Sequence, residues 1–185
     1  MKQNHKNLKM PAILIHLAFG YILYWLFSFK FRKLKDNYFL FLFLLGSLIP
    51  DIKYFVAWLT YLIFGSENFV VFSSLAVTHQ IFGSFLVSLL LAATLFRNKF
   101  KISLVILTVG FLGHFFLDIS QYPFASIGHM QLFYPFSAQI FYINFGFING
   151  IQVFEVFQYL VLIVAIILFI SSFIRDKTRN NHNQC

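Results

Sequence analysis

An all-α, multi-pass transmembrane helix bundle is the fold class this sequence predicts, with about five spanning helices and one or two interfacial or re-entrant segments. Three observations carry it. The chain is 59% hydrophobic and 11% charged over 185 residues, where a soluble domain carries about 25% charged residues. Phenylalanine contributes 28 residues, more than one small water-facing domain can bury. Uncharged runs close to the ~20 residues that cross a bilayer recur along the chain.

The first expected span is 11–29, uncharged, with Pro11 near its first turn, where proline is tolerated. Lys2, Lys6 and Lys9 precede it as in a signal peptide, but no A-x-A-like cleavage site follows, so it reads as a retained helix. The second span is expected at 37–53, closing on Gly46-Ser-Leu-Ile-Pro-Asp51. The third is 78–96, the fourth 102–119 and the fifth 151–174. Two apolar stretches, 54–64 and 138–149, are short for a span and read as interfacial or re-entrant. Gly46, Gly110 and Gly113 read as close-packing positions between helices. Residues 1–174 then form one transmembrane domain, and 175–185 a polar, frayed C-terminal tail.

The formal charge of +8 would suggest nucleic acid in a soluble protein. Here the basic residues sit in short clusters between apolar runs, which is the pattern of the positive-inside rule, so no nucleic-acid partner is expected. Lys30, Arg32, Lys33 and Lys35 join spans one and two, Arg97, Lys99 and Lys101 join spans three and four, and Arg175, Lys177 and Arg179 follow span five. With those on the cytoplasmic side the N-terminus lies outside, an orientation that the three N-terminal lysines oppose. The one cysteine, Cys185, excludes a disulfide framework and a Cys-based zinc site.

The apolar runs nevertheless hold His16, Asp51, His79, His114, Asp118 and Glu155. Counted along its own helix at 1.5 Å per residue, each lies about 20 to 30 Å from the basic cluster of that helix. All six therefore share one layer near the non-cytoplasmic edge of a ~30 Å hydrocarbon core. Histidine and carboxylate are the usual ligands of zinc and related divalent ions. His114 and Asp118, four residues apart, face one side of a helix, and a bound cation would compensate groups that lipid otherwise penalises. The plainer alternative for each residue alone is a helix-packing hydrogen bond or, for Asp51 and Glu155, a helix cap. The loop 121–137 has no formal charge. Its Tyr134 and Ser137 are candidates for contact with a substrate head group, as is Lys53, and the tyrosines equally suit an aromatic belt. His129 in the same loop is uncommitted.

The motifs "HLAFG", "GSLIPD", "THQIFGS", "GFLGHFFLD" and "LFYPFS" follow one another over roughly residues 10–137. In this order the chain resembles the YdjM-like bacterial inner-membrane proteins, a family of suspected metal-dependent hydrolases. That resemblance implies an inner-membrane hydrolase with His16, Asp51, His79, His114 and Asp118 as metal ligands. It implies no substrate. Many relatives carry a basic residue before the Thr-His, where this chain has Leu75-Ala76-Val77; Lys53 is a candidate replacement. A looser similarity is to zinc-dependent phospholipase C, although its His-x-x-x-Glu is absent, since Ile151 stands four residues before Glu155.

The expectation is a membrane-embedded hydrolase that uses a divalent metal, most simply zinc, with Asp51 or Glu155 as general base. Its partners would be membrane lipids and a lipid or small-molecule substrate, plausibly a phosphoester. The alternative is a non-catalytic protein that handles ions or protons, or a structural one. A conduction path needs polar groups at several depths, and the cytoplasmic halves offer only Ser88, Thr94, Ser103 and Thr108.

Overall fold

A computed structural model describes residues 10–31, 34–65, 75–121, 133, 136, 147–148 and 151–182 (backbone alone for 10–12, 75–76, 121, 147–148, 151–155 and 175–182). Six α-helices account for nearly all of them: α1 Met10–Lys30, α2 Asn37–Leu48, α3 Ile52–Phe64, α4 Ile81–Thr94, α5 Phe100–Gln121 and α6 Val153–His182. Short 3-10 turns at Ile49–Asp51, Leu75–His79 and Arg97–Lys99 join or precede them. Phe147–Ile148 and Ile151–Gln152 pair as a two-residue antiparallel ribbon before α6.

Among the described residues, four stretches are long and apolar enough to cross a membrane: Ile13–Lys30, Asn37–Phe64, Arg97–Ser120 and Val156–Ile174. The expected third span differs. Its helix starts at Ile81, not 78, and has 14 residues, about 21 Å at the helical rise, short of a full hydrocarbon core. The reason lies at its N-terminus, where 75–79 folds back onto the helix. Ser84 Oγ donates to the Thr78 carbonyl at 2.6 Å, and a Cβ at Gly83 would run into the Val77 carbonyl. The expected separate segment 54–64 is α3, which follows α2 through the Ile49–Asp51 turn within one apolar run of 28 residues. At the C-terminus the helix does not stop at 174; its backbone continues to His182. Most of the expected segment 138–149 lies outside the described residues.

The core forms where α1, α2 and α5 meet, around Leu42, Phe43, Ile106 and Leu107. Helices α2 and α5 run parallel and touch backbone to backbone: a Cβ on Gly46 would lie 2.7 Å from the Leu107 carbonyl oxygen, and one on Gly110 2.9 Å from the Gly46 Cα. Small residues allow this approach, which in lipid must be driven by packing rather than by exclusion of water. Near the start of both helices the Tyr38 hydroxyl lies 2.7 Å from Ser103 Oγ, and Lys99 Nζ sits 4.5 Å from the centre of the Tyr38 ring. Helix α1 runs antiparallel to this pair, with Gly20 against Ser47. Helix α6 packs on α1, with Val161 clustered with Ile15 and with Leu117 of α5 at one end and Phe169 against Tyr21 further along.

This alternation has one consequence for function. The end of α2, the start of α4, the end of α5 and the start of α1 all meet at one end of the bundle. Lys30, Lys35, Arg97, Lys99 and Lys101 lie at the other. The outward faces of α3 and of α6 as far as Ile174 are mainly apolar, with Phe55, Trp58, Leu62, Ile163, Ile167 and Phe173 more than half exposed, as expected where lipid is the solvent.

Candidate metal centre

Four separate segments bring His16, Asp51, His79, His114 and Asp118 together. Asp118 is the hub. Its Oδ1 lies 3.3 Å from His16 Nε2, and its Oδ2 lies 2.9 Å from His114 Nε2 and 3.1 Å from His79 Nε2. Asp51 Oδ1 completes the cluster, 3.6 Å from His79 Nδ1 and 3.8 Å from His114 Nε2. The His16 and His114 rings stack at 3.7 Å with planes 15° apart, so each offers its Nε2 to one oxygen of the same carboxylate. His16 and His114 are about as buried as any side chain in the bundle.

The backbone decides how two of these rings are used. His114 Nδ1 is 2.7 Å from the Ser47 carbonyl oxygen, and His79 Nδ1 is 3.1 Å from that of Pro50. A carbonyl only accepts, so each Nδ1 donates its proton there, and in the neutral ring Nε2 is left with a bare lone pair. Both Nε2 atoms then point at Asp118 Oδ2, itself an acceptor. Consistently, His114 Nε2 and Asp118 Oδ2 are buried without a hydrogen-bond partner although they are 2.9 Å apart. Acceptors converging in a dry site are costly unless something positive lies between them. An imidazole held through Nδ1–H by a carbonyl while Nε2 faces inward is the usual arrangement around a bound metal.

The local sequence explains both carbonyls. Pro50 has no N–H, so it cannot close a 3-10 bond back to Ser47, and the Ser47 carbonyl accepts from His114. The chain tightens into the Ile49–Asp51 turn, whose Pro50 carbonyl faces the 75–79 turn and takes His79 Nδ1, with Thr78 Oγ1 at 3.5 Å. Asp51 stands at the N-cap of α3 but makes no capping bond with its side chain. The carboxylate therefore serves the cluster and not the helix end.

Two overlapping groups have ligand atoms close enough for one cation: His16, His114 and Asp118, and Asp51, His79 and His114, each within 4.8 Å. The donor set, imidazole nitrogen with carboxylate oxygen, suits zinc and also manganese or iron. The residues present fit such an ion.

Residues 10–180 match the model of the YdjM inner membrane protein family. The chain belongs to that family. It is thus a multi-pass protein of the bacterial inner membrane, in contact with membrane lipids along its apolar helices. No curated protein and no solved structure matches this YdjM-family chain significantly.

The remaining candidate residues divide. Lys53 is buried on the first turn of α3, two residues beyond Asp51. Glu155 lies in the first turn of α6, its side chain outside the described residues. Tyr134, Ser137 and His129 lie outside the described residues altogether. Sequence reasoning missed the Ser47 and Pro50 carbonyls and the support of the 75–79 turn by Ser84. Only the proline in "GSLIPD" signalled that backbone acceptors would be exposed there.

Proposed function

We propose that this YdjM-family protein is a membrane-embedded hydrolase that uses a divalent cation, zinc in the simplest case, and cleaves a lipid or lipid-linked ester at the non-cytoplasmic face. One observation carries the reading: the Nε2 atoms of His79 and His114, fixed by backbone carbonyls, converge with His16 on the Asp118 carboxylate. Groups that only held helices together would pair donors with acceptors. The basic clusters at the opposite end support a cytoplasmic place for that end, by the positive-inside rule.

When bound, the cation supplies Lewis acidity, polarising the ester and activating water at neutral pH. His16, His79, His114 and Asp118 would hold it. Asp51 is the least engaged carboxylate of the cluster, at 3.6 and 3.8 Å from its neighbours, which suits a general base that takes the proton of the attacking water. The surrounding Phe111 and Phe115, both buried, keep the dielectric low and strengthen each charge interaction. A proton or ion path fits less well. Between the site and the basic end, the buried hydroxyls of Ser88 and Ser103 donate to the carbonyls of Ser84 and Lys99, within their own helical turns.

Metal analysis of detergent-purified protein tests this. Wild type should carry one or two equivalents of zinc, manganese or iron, and a folded His114→Ala/Asp118→Ala variant should carry none. Absence of metal from wild type after reconstitution with each ion would overturn the reading.

A further inference from the structure

Two crevices open at the basic end of the bundle, away from the histidine cluster, and their linings differ. One, of about 620 Å³, lies between α1, α2 and α5, and its described walls are apolar, among them Phe27, Phe31, Val105 and Ile106. Any hydrocarbon chain can fill such a space. The other, of about 500 Å³, lies between α1, α6 and the start of α2. Among the described residues it is lined by Tyr21, Ser28, Lys35, Asn37 and Ser172, with Phe29, Phe169 and Phe173 beside them. Hydroxyl, amide and ammonium groups facing a membrane cleft are costly unless a polar partner meets them there.

Their height selects the partner. Ser28 stands two residues before Lys30, and Asn37 two after Lys35. Ser172 is three residues before Arg175, about 4.5 Å at the helical rise. The Tyr21 hydroxyl reaches up to that level, 3.4 Å from Ser172 Oγ, beyond the roughly 2.5–3.0 Å of a well-made hydroxyl bond. Ser28 Oγ donates to the Trp25 carbonyl in its own turn and keeps its acceptor lone pairs. An aromatic belt would point its rings outward. Here Tyr21 packs on Phe169 of α6, and Tyr24 on Phe43 of α2.

We infer that this cleft binds an anionic glycerophospholipid from the leaflet at the basic end, a site separate from the histidine cluster. The phosphate would sit at Lys35 and Asn37, where an ammonium and an amide donate to it. Glycerol oxygens of the head group would meet Tyr21, Ser28 and Ser172. The acyl chains would run toward the midplane along Phe169 and Phe173, which are 61% and 64% exposed. Basic clefts between membrane helices are known binders of acidic head groups. Bound there, the lipid would bridge α1, α6 and the start of α2, and so stabilise the bundle by mass action.

The test is thermal unfolding of the full-length protein in neutral detergent, titrated with dioleoyl phosphatidylglycerol or dioleoyl phosphatidylcholine, with native mass spectrometry to count retained lipid. Phosphatidylglycerol should raise Tm and leave one lipid bound, and phosphatidylcholine should do neither. Lys35→Gln should weaken that binding about fivefold, the effect of one lysine near an acidic lipid. Ser172→Leu, which closes the cleft, should abolish it. Lys35 is exposed, so Lys35→Gln decides the matter if Ser172→Leu does not fold. Lys101→Gln, at the same end on another helix, should change nothing. Equal effects of Lys35→Gln and Lys101→Gln would mean diffuse surface attraction and overturn the inference, as would equal binding of the two lipids. Stabilisation by glycerol phosphate as strong as by the lipid would assign the cleft to a water-borne phosphate and overturn it too.

Discussion

Pro50 bears on two histidines from other segments. Because the residue cannot bond back to Ser47, the Ser47 carbonyl accepts from His114, and the turn at Ile49–Asp51 aims the carbonyl of Pro50 itself at His79. That fixes which ring nitrogen faces Asp118. The bond to His114 uses the Ser47 backbone, whereas the Ser47 hydroxyl donates to Leu44. Two substitutions therefore separate the roles. Ser47→Ala should leave metal affinity within a factor of about two, because the backbone carbonyl is untouched. Pro50→Ala restores an N–H that competes for that carbonyl, and should weaken metal binding by about 10- to 100-fold, as loss of outer-shell support generally does. Competition with a chromophoric chelator measures both. Thermal unfolding of the metal-free protein should show Pro50→Ala no less stable than wild type, since helix regularity improves.

At the scale of elements, two close approaches set the cluster. The α2–α5 crossing at Gly46 and Gly110 aligns the Ser47 carbonyl with His114, and a Cβ at Gly46 has only 2.7 Å to the Leu107 oxygen. Gly46→Ala must push the helices apart, at a cost of about 1–3 kcal/mol by analogy with overpacked cores. Lower thermal stability in detergent, accompanied by loss of metal, is the expected result. Gly83 acts on a different ligand, since a side chain there displaces the 75–79 turn that carries His79. Gly83→Ala should therefore reproduce the metal affinity of His79→Ala, and the two changes combined should add little. Full additivity in the double mutant would show that Gly83 acts elsewhere. Neither approach could be read from spacing. Glycines in membrane helices suggest close packing, but which backbone comes close depends on the partner helix. The fold-back of Leu75–His79 similarly depends on Val77 meeting Gly83, and it shortens what looked like a continuous span from 78.

For the whole molecule, the arrangement is one-sided. The histidines and carboxylates gather where α2 and α5 end and α1 and α4 begin, and the proposed orientation puts the lysines and arginines at the opposite end in the cytoplasm, by the positive-inside rule. The chain has one cysteine, Cys185, three residues beyond the end of α6, which serves as a built-in reporter. A membrane-impermeant maleimide should label it in inside-out vesicles and not in intact spheroplasts. Labelling of intact spheroplasts would invert the orientation and move the proposed chemistry to the cytoplasmic face.

The sequence alone determined the membrane class, because composition and the length of apolar runs are direct consequences of a ~30 Å hydrocarbon core. It also set the common depth of His16, Asp51, His114 and Asp118, since depth along a helix is rise multiplied by residue count; His79 reaches the same layer from the folded-back 75–79 turn and not from the helix the sequence suggested. Rotation about each helix axis and the identity of its neighbours follow from packing between distant segments, which no local pattern encodes. Only the tertiary structure, therefore, decided that Asp118 is the hub, that carbonyls of 47 and 50 orient two rings, and that Asp51 makes no helix cap. Contact among these five residues depends on Gly46, Gly83 and Pro50, whose effect comes from atoms they lack: a side chain in two cases and an amide hydrogen in the third.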